Sequence, residues 1–349
     1  MAILAGANGP TAIVRWASAK TAFLCQELPL PHGVPCKDVF RNVLSLLKPK
    51  VFHACFTTWL DSLKLKAMEK HHIDRPILSI DGKTLRRSHD KANGLGALHS
   101  VSVWASELGL SLGQTGCEEK SNEITAIPQL LQLVDIAGSV VTIDAMGCQK
   151  AIAKLIVEGE ADYVLALKGN QGKLHDAVTE HIIEQMENDY AGIDAQHYTI
   201  TEKVHGREET RIYTHLPVPE GLPMLDEWEG LKSVGVATRL YRKDGQECAD
   251  VRYFISSLAV GVELFARAVR QHWGIENGCH WVLDVAFRED LSRVREGNAA
   301  TTFAIVRRMA LAMLKKVEGA KGGVGTRRLT AGWDTTFLER VLQVEPHPN

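Results

Sequence analysis

The chain has 349 residues, 45% of them hydrophobic and 23% charged, with a formal net charge of −2. That length can bury a substantial core in one large domain with attachments or in two domains, and the composition is that of an ordinary globular protein. The near-zero balance excludes a globally basic chain, so any nucleic-acid surface has to gather its lysines and arginines on one face.

The seven cysteines, at positions 25, 36, 55, 117, 148, 248 and 279, are scattered and contain no CxxC pair. This argues against a disulfide framework or a structural zinc site and for a reducing cytoplasm. The start MAILAGANGP lacks the basic residues and long apolar core of a signal peptide. No uncharged apolar stretch approaches the roughly 18 residues needed to span a bilayer, so a cytoplasmic protein with no membrane partner is expected.

Residues 1–70 read as helical: AIVRWASAKTAFL, KDVFRNVLSLL and FHACFTTWLDSLKLKAMEK repeat apolar positions every three or four residues, interrupted by PLPHGVP. The texture changes at residue 76. PILSID (76–81) reads as a strand, ALHSVSVWAS (97–106) and LGLSLGQTG (108–116) as a hairpin pair, and NEITAIPQLLQLVD (122–135) as a helix that Pro128 either kinks or opens. SVVTID (139–144) is a strand, QKAIAKLIVEG (149–159) a helix, DYVLALK (162–168) a strand and QGKLHDAVTEHIIEQM (171–186) a helix. Between 195 and 258 polar and apolar residues alternate in a β-rich insertion, with a hairpin expected at KDGQ. Long helical stretches follow at 262–287 and 298–317, then the flexible link GAKGGVG and a short terminal helix in RLTAGWDTTFLERVL.

The order β-β-β-α-β-α-β-α predicts an α/β fold in which three antiparallel strands and two crossover units make a mixed sheet flanked by helices. It matches the ribonuclease-H-like fold, whose first and fourth strands are parallel neighbours. The expected organisation is a helical N-terminal region (1–70), the first part of the core (76–194), the β-rich insertion (195–258), a helical completion of the core (259–317) and a C-terminal tail (318–349).

Two of the core strands end in an acid, Asp81 and Asp144. Side by side, these carboxylates repel unless a cation lies between them. A lone Asp after a strand is also a common turn or helix-cap residue. Glu276 is the third acid, in HWGIENGCHW, where His272, Glu276 and His280 recur at a spacing of four on one expected helix face. Three carboxylates from two strand ends and one helix suit a pair of Mg²⁺ ions, which take oxygen ligands and keep open positions for phosphate oxygens.

Four segments carry a resemblance: SIDGKTLRRS (79–88), VVTIDAMGCQ (140–149), YVLALKGNQ (163–171) and HWGIENGCHWVLDVAFREDLSRVREGNAA (272–300). Together they resemble the DDE transposases of bacterial insertion sequences, in the H-repeat-associated (ISAs) branch, over about residues 20–345. The resemblance implies Asp81, Asp144 and Glu276 as the catalytic triad, two Mg²⁺ or Mn²⁺ ions as cofactor, and cleavage and strand transfer of element ends. It implies DNA as partner, both the terminal inverted repeats and the target, with a homodimer assembled on the DNA. It also implies further helical sequence before AILAGA, so that the N-terminal region reads as shortened. Where related transposases carry a Y-x₂-R-x₃-E-x₆-K pattern, this chain has Val269, His272 and Leu283 in place of the Tyr, Arg and Lys. Those end-contacting roles are therefore not carried over.

Candidate DNA contacts come from position. Lys83, Arg86 and Arg87 follow Asp81; Lys168, Asn170 and Gln171 follow the last core strand, where GNQ either rims the site or caps the next helix. Arg288, Arg293, Arg295, Arg307 and Arg308 make the C-terminal helical region basic, either as a DNA face or as a solvated charge face. Trp273 and Trp281 either stack on bases or belong to the core. His280 either orients water or phosphate or is a structural histidine, and Asp284 and Asp290 are expected either to be structural or to support the site from behind its ligands. Two other readings of the same residues are a metal nuclease of this fold that cuts without joining and a non-catalytic DNA-binding remnant.

Overall fold

A computed structural model describes residues 1–89, 96–117, 123–204, 207–243 and 246–343. In chain order, the helices α1 (Pro10–Ala19), α2 (Thr21–Glu27), α3 (Lys37–Leu46) and α4 (Pro49–His71) precede the strands β1 (Ile77–Thr84), β2 (His99–Ala105) and β3 (Leu110–Cys117). Then come α5 (Glu123–Leu131), β4 (Val140–Ile143), α6 (Lys150–Glu158), β5 (Asp162–Leu167) and α7 (Gly172–Glu187). The long strands β6 (Gln196–Val204), β7 (Arg207–Pro217), β8 (Ser233–Lys243) and β9 (Gln246–Ser256) follow, and α8 (Val262–His272), α9 (Trp281–Phe287), α10 (Ala299–Lys316), α11 (Val324–Trp333) and α12 (Thr335–Leu342) complete the chain.

Three expected helical stretches are divided. AIVRWASAKTAFL breaks at Lys20, whose non-helical backbone closes α1 and opens α2. The tail helix breaks at Asp334, whose Oδ1 accepts from the Thr336 and Phe337 amides at 2.9 and 3.2 Å and so starts α12 afresh. The stretch 262–287 is interrupted after His272 and passes through a π-helical turn, Glu276–His280, before α9. Pro128 lies inside α5. The turn residues of KDGQ, 244 and 245, lie outside the described residues, although β8 and β9 pair up to Lys243↔Gln246.

The chain forms two compact units, Met1–Ile73 with Gly82–Ala126 and Ile275–Asn349, and Asp74–Asp81 with Ile127–Gly274. β1 runs through both, so the hydrogen-bonded strand order reads β3-β2-β1-β4-β5-β9-β8-β7-β6. The first five strands have the order expected of a ribonuclease-H-like sheet. β1, β4 and β5 are parallel, and β4 is wholly buried, as its unbroken apolar run requires. The β-rich insertion extends this sheet: β9 pairs antiparallel with β5, and β8, β7 and β6 follow in turn. The edge that β5 would otherwise expose is thereby paired.

In the second unit the core lies where α8 covers the sheet, with Phe265, Ala268 and Val269 buried among Ile77, Val140, Val164 and Phe254. Phe265 packs where Gly235 has no side chain; a Cβ there would stand 2.3 Å from the ring. His215 stacks on the same ring, with centroids 4.7 Å apart and planes at 11°. Its Nδ1 accepts from the Gly261 amide at 3.0 Å, so Nε2 carries the proton and donates to Ser233 Oγ at 2.8 Å. Burial pushes its pKa down to about 4.

The first unit has its own core, built from Trp104, Ile275, Leu283, Phe287, Phe303, Leu311 and Leu338 among others. Beside it lies a buried ionic cluster. Glu289 is fully buried, with Arg308 at 3.4 Å, Arg307 at 3.8 Å and Lys83 at 3.3 Å. Burial alone would raise the Glu289 pKa; the surrounding cations outweigh it and hold the carboxyl below its ordinary value. Arg307 and Arg308 are 1% and 4% exposed, which corrects both readings of them, as a DNA face and as a solvated face. They point inward because Glu289 supplies the counter-charge, and Arg307 also lies over the Phe303 ring at 4.3 Å.

Two stability experiments follow from these buried groups. Because His215 binds its proton only near pH 4 when folded and near 6.5 when unfolded, its share of stability is complete above pH 6.5 and falls away as the pH drops toward 4, by about 3 kcal/mol at 1.36 kcal/mol per unit. Urea unfolding at pH 7 and pH 4 should therefore lose that much more in the wild type than in His215→Gln. In the first unit, Glu289→Gln strips the counter-charge from Arg307 and Arg308 and should cost about 3–5 kcal/mol at pH 7; a thermal midpoint unchanged from wild type would show the cluster to be inert.

Candidate active site

In the second unit the parallel register pairs Ile77 with Val140 and continues to Ile80 with Ile143. Asp81 and Asp144 are the next residues on the two strands, so they lie side by side at the same end of the sheet. Ile80 and Ile143 are buried at 1% and 2% exposure, whereas both acids are half-buried. The strands thus deliver the acids from the core to its rim.

Asp144 also caps the 3-10 turn Ala145–Gly147, its Oδ1 accepting from the amides of Met146 at 3.0 Å and Gly147 at 3.2 Å. The turn is tight: a Cβ on Gly147 would lie 2.2 Å from Ile143 Cγ2. Among the described residues Oδ2 takes no hydrogen bond, so the capping role uses one oxygen and leaves the other for a ligand. Asn170 donates to the Ala145 carbonyl at 2.6 Å and Gln171 to that of Cys148 at 2.9 Å. Their amides hold the Asp144 turn from the 3-10 turn after β5, while Lys168 at its start is exposed.

The end of α8 is tied to the same two strands. Ser79 Oγ donates to the Gln271 carbonyl at 3.2 Å, and Thr142 Oγ1 lies 3.4 Å from Ser79 Oγ and 3.1 Å from His272 Nδ1. Both hydroxyls are two residues before an acid. Burial pushes the His272 pKa down to about 4, against the pull of the Asp144 charge and with the help of Arg252. The ring is therefore neutral at pH 7. Trp273 follows, 46% exposed, under the Arg252 guanidinium at 4.6 Å.

In the first unit Glu276 opens the π-helical turn with its side chain exposed, 3.3 Å from His280 Nδ1. His280 is buried, and burial together with Arg308 and Lys83 drives its pKa down to about 3. π-turns break the regular hydrogen-bond ladder and recur at functional positions. Here the Gly278 carbonyl receives Lys315 Nζ at 2.9 Å, and Lys315 lies over the Trp104 ring at 4.4 Å. A Cβ on Gly278 would approach that indole to 2.9 Å. The glycine inside an apolar helical pattern was the available signal for this turn.

Lys83 is enclosed by acids: it bonds to Asp284, and Glu289 and Asp290 lie 3.3 and 3.5 Å away. Its ammonium thus ties the end of β1 to α9 and the turn beyond it, instead of facing solvent. Arg86 is exposed and reaches Asp290 at 3.4 Å. Arg87 offers its carbonyl to Arg295 Nε at 3.2 Å, and Arg288 is exposed in a left-handed conformation at the end of α9. Trp281 is 59% exposed. Sequence reasoning missed the buried pair His99 and Glu123, 2.6 Å apart, with Thr84 Oγ1 2.8 Å from the other imidazole nitrogen. Gly82, next to Asp81, makes room for it: a Cβ there would stand 2.4 Å from His99 Nε2 and 2.5 Å from Glu123 Oε1. The Asp-Gly step after a strand was the only hint.

The residues thus fall in two groups. Asp81, Asp144, Lys168, Asn170 and Gln171 gather in the second unit; Glu276, His280, Lys83, Arg86, Arg87, Arg288 and Arg295 belong to the first. The chain crosses between units at Asp81–Gly82 and at Gly274–Ile275, so Asp81 and Glu276 each sit within two residues of a crossing. The donor chemistry of the strand-end pair fits a hard divalent cation: carboxylate oxygens, one of them free of internal hydrogen bonds, whose repulsion a cation relieves.

Comparison with known proteins assigns the family. The family described as Transposase DDE domain matches residues 72–313, and a DDE_Tnp_1-associated domain matches residues 1–60. "Putative transposase YncI" of Escherichia coli O157:H7 is 41% identical over 98% of this chain and 86% of its own length. "H repeat-associated putative transposase YhhI" of Escherichia coli (strain K12) is 38% identical over 98% of this chain and 89% of its own. A piggyBac transposase synaptic complex with hairpin DNA aligns with a TM-score of 0.38 and 11% identity over 78% of this chain and 55% of that one, too little to add to the fold described above. With its parallel strand-end aspartates, its ribonuclease-H-like strand order and a match over most of its length, the chain belongs to the DDE transposase family.

Proposed function

We propose that Asp81, Asp144 and Glu276 together bind two Mg²⁺ or Mn²⁺ ions and carry out cleavage of insertion-sequence ends and their transfer to target DNA. The observation that supports this reading most directly is the β1–β4 register, which sets Asp81 beside Asp144 at one strand end. Glu276 joins them in the proposal because it opens an irregular helical turn with an exposed carboxylate, close in sequence to a crossing between the units.

When bound, such ions supply charge stabilisation for the attacking and the leaving oxygen of an in-line phosphoryl displacement. The chain's own residues have three tasks. Asp81, Asp144 and Glu276 offer carboxylate oxygens. Asn170 and Gln171 hold the Asp144 turn, and the Ser79–Thr142–His272 contacts hold the strands that end in the acids. In cleavage, water loses a proton to solvent and bonds to phosphorus as the bond to the 3′-oxygen breaks; in transfer, that freed 3′-hydroxyl loses its proton and bonds to a target phosphorus as the target's own bond from phosphorus to its 3′-oxygen breaks. Neither step needs a protein nucleophile, so no Ser or Tyr is assigned one. Assembly as a homodimer on DNA and a cytoplasmic location belong to the same proposal; among the described residues no helix is long and apolar enough to cross a membrane.

Asp144→Ala and Glu276→Gln should each lower Mg²⁺-dependent cleavage of end-bearing DNA by at least about a thousand-fold, the scale of losing transition-state charge stabilisation. DNA binding should persist in both. Wild-type cleavage by Asp144→Ala would refute the assignment, and cut ends without joined products would point to a nuclease of the same fold. Crystals soaked in Mn²⁺ should show two anomalous peaks about 3.5–4 Å apart between the three acids.

A further inference from the structure

Three observations in the second unit converge on Arg252, a residue to which no role has been assigned, and on its neighbours Lys168 and Trp273. The first is register. β5 pairs antiparallel with β9 through Leu167↔Tyr253, and continuing that register by one step sets Lys168 opposite Arg252 where β5 ends. Through β4, whose Ile143 pairs with Leu165, this is the sheet end that carries Asp144.

The second is unbalanced charge. The described arginines of the neighbouring strands are matched by acids: Arg211 bonds to Glu202 and Glu209, Arg239 to Glu209 and Asp250, and Arg242 to Glu247. Among the described residues neither Arg252 nor Lys168 meets a carboxylate. Two adjacent cations without counter-charge repel each other, and an anion arriving between them is attracted by both.

The third is the way Arg252 is held. Its guanidinium lies over the half-exposed Trp273 ring at 4.6 Å. This contact with the ring restrains the guanidinium without consuming its N–H donors, which match two phosphate oxygens.

We propose that Lys168 and Arg252, the latter held by Trp273, form a phosphate clamp that grips the backbone of one DNA strand beside Asp144. The clamp rests on the transposase reading and adds a part to it: two cations, one from the end of β5 and one from β9, at the sheet end that carries Asp144.

The test is equilibrium binding of a fluorescent forked DNA duplex of arbitrary sequence, in EDTA, over a series of salt concentrations. Arg252→Ala and Lys168→Ala should each weaken binding about five-fold or more near 0.1 M salt and lower the slope of log affinity against log salt by about one, and the double variant by about two. Arg252→Lys should keep the slope and still bind more weakly, because an ammonium lacks the stacked fork. Trp273→Ala should do the same with no change in charge. Arg242→Ala, which removes an exposed arginine already paired with Glu247, should leave the slope as it was. An unchanged slope in Arg252→Ala, or an equal loss in Arg242→Ala, overturns the clamp in favour of diffuse charge. Parallel cleavage assays separate the two ideas: a wild type that binds with the predicted slopes and never cleaves sinks the catalytic reading alone, and a wild type that binds no DNA sinks both.

Discussion

Two carboxylates of like charge held at one end of two parallel strands form the constraint on which the rest of this protein depends. Parallel pairing of β1 with β4 leaves no freedom in the matter: once Ile80 is opposite Ile143, Asp81 and Asp144 must emerge together. The side chains of both strands are buried up to Ile80 and Ile143, so the packed core fixes this register and enforces a juxtaposition that electrostatics opposes. The fold does work against charge repulsion there, which is the energetic setting that the proposed divalent cations would relieve.

The surroundings are arranged to keep that pair in place. One oxygen of Asp144 is spent on capping its own turn, which fixes the direction of the other. Amides from the turn after β5 and hydroxyls two residues before each acid tie the neighbouring segments to the same strands. In the first unit a comparable economy of charge joins α9 to the end of β1, with Lys83, Arg307 and Arg308 gathered around buried Glu289 and Lys83 also bonded to Asp284. Several cations that a chain acting on DNA has to offer are therefore structural. The cations left without acid partners, Lys168 and Arg252 above all, carry more meaning because of it.

Much of this was legible in the residues. The alternation of strands and helices, the continuous apolar run of β4 and the acids closing PILSID and SVVTID were enough to place Asp81 beside Asp144, because strand polarity and crossover handedness leave few arrangements. Side-chain direction was not legible. Arg307 and Arg308 sit in a segment whose composition suits a solvated or DNA-facing helix, and only the presence of Glu289 within the fold turns them inward. Likewise, Lys83 follows Asp81 in a basic run, and nothing local announces that Asp284 and Asp290 will enclose it.

What the sequence determined by itself, then, was the set of elements, the parallel order at the centre of the sheet and the identity of the family, since these depend on local periodicity and on motifs read along the chain. What only the tertiary structure decided was which charges are neutralised and which remain open: the extension of the sheet through β9, the stacking of Arg252 on Trp273, the neutral state of His272 and His280, and the π-helical turn at Glu276. The reason is physical. Secondary structure answers to neighbours a few residues away, whereas desolvation and ion pairing answer to groups that come together only when distant segments pack.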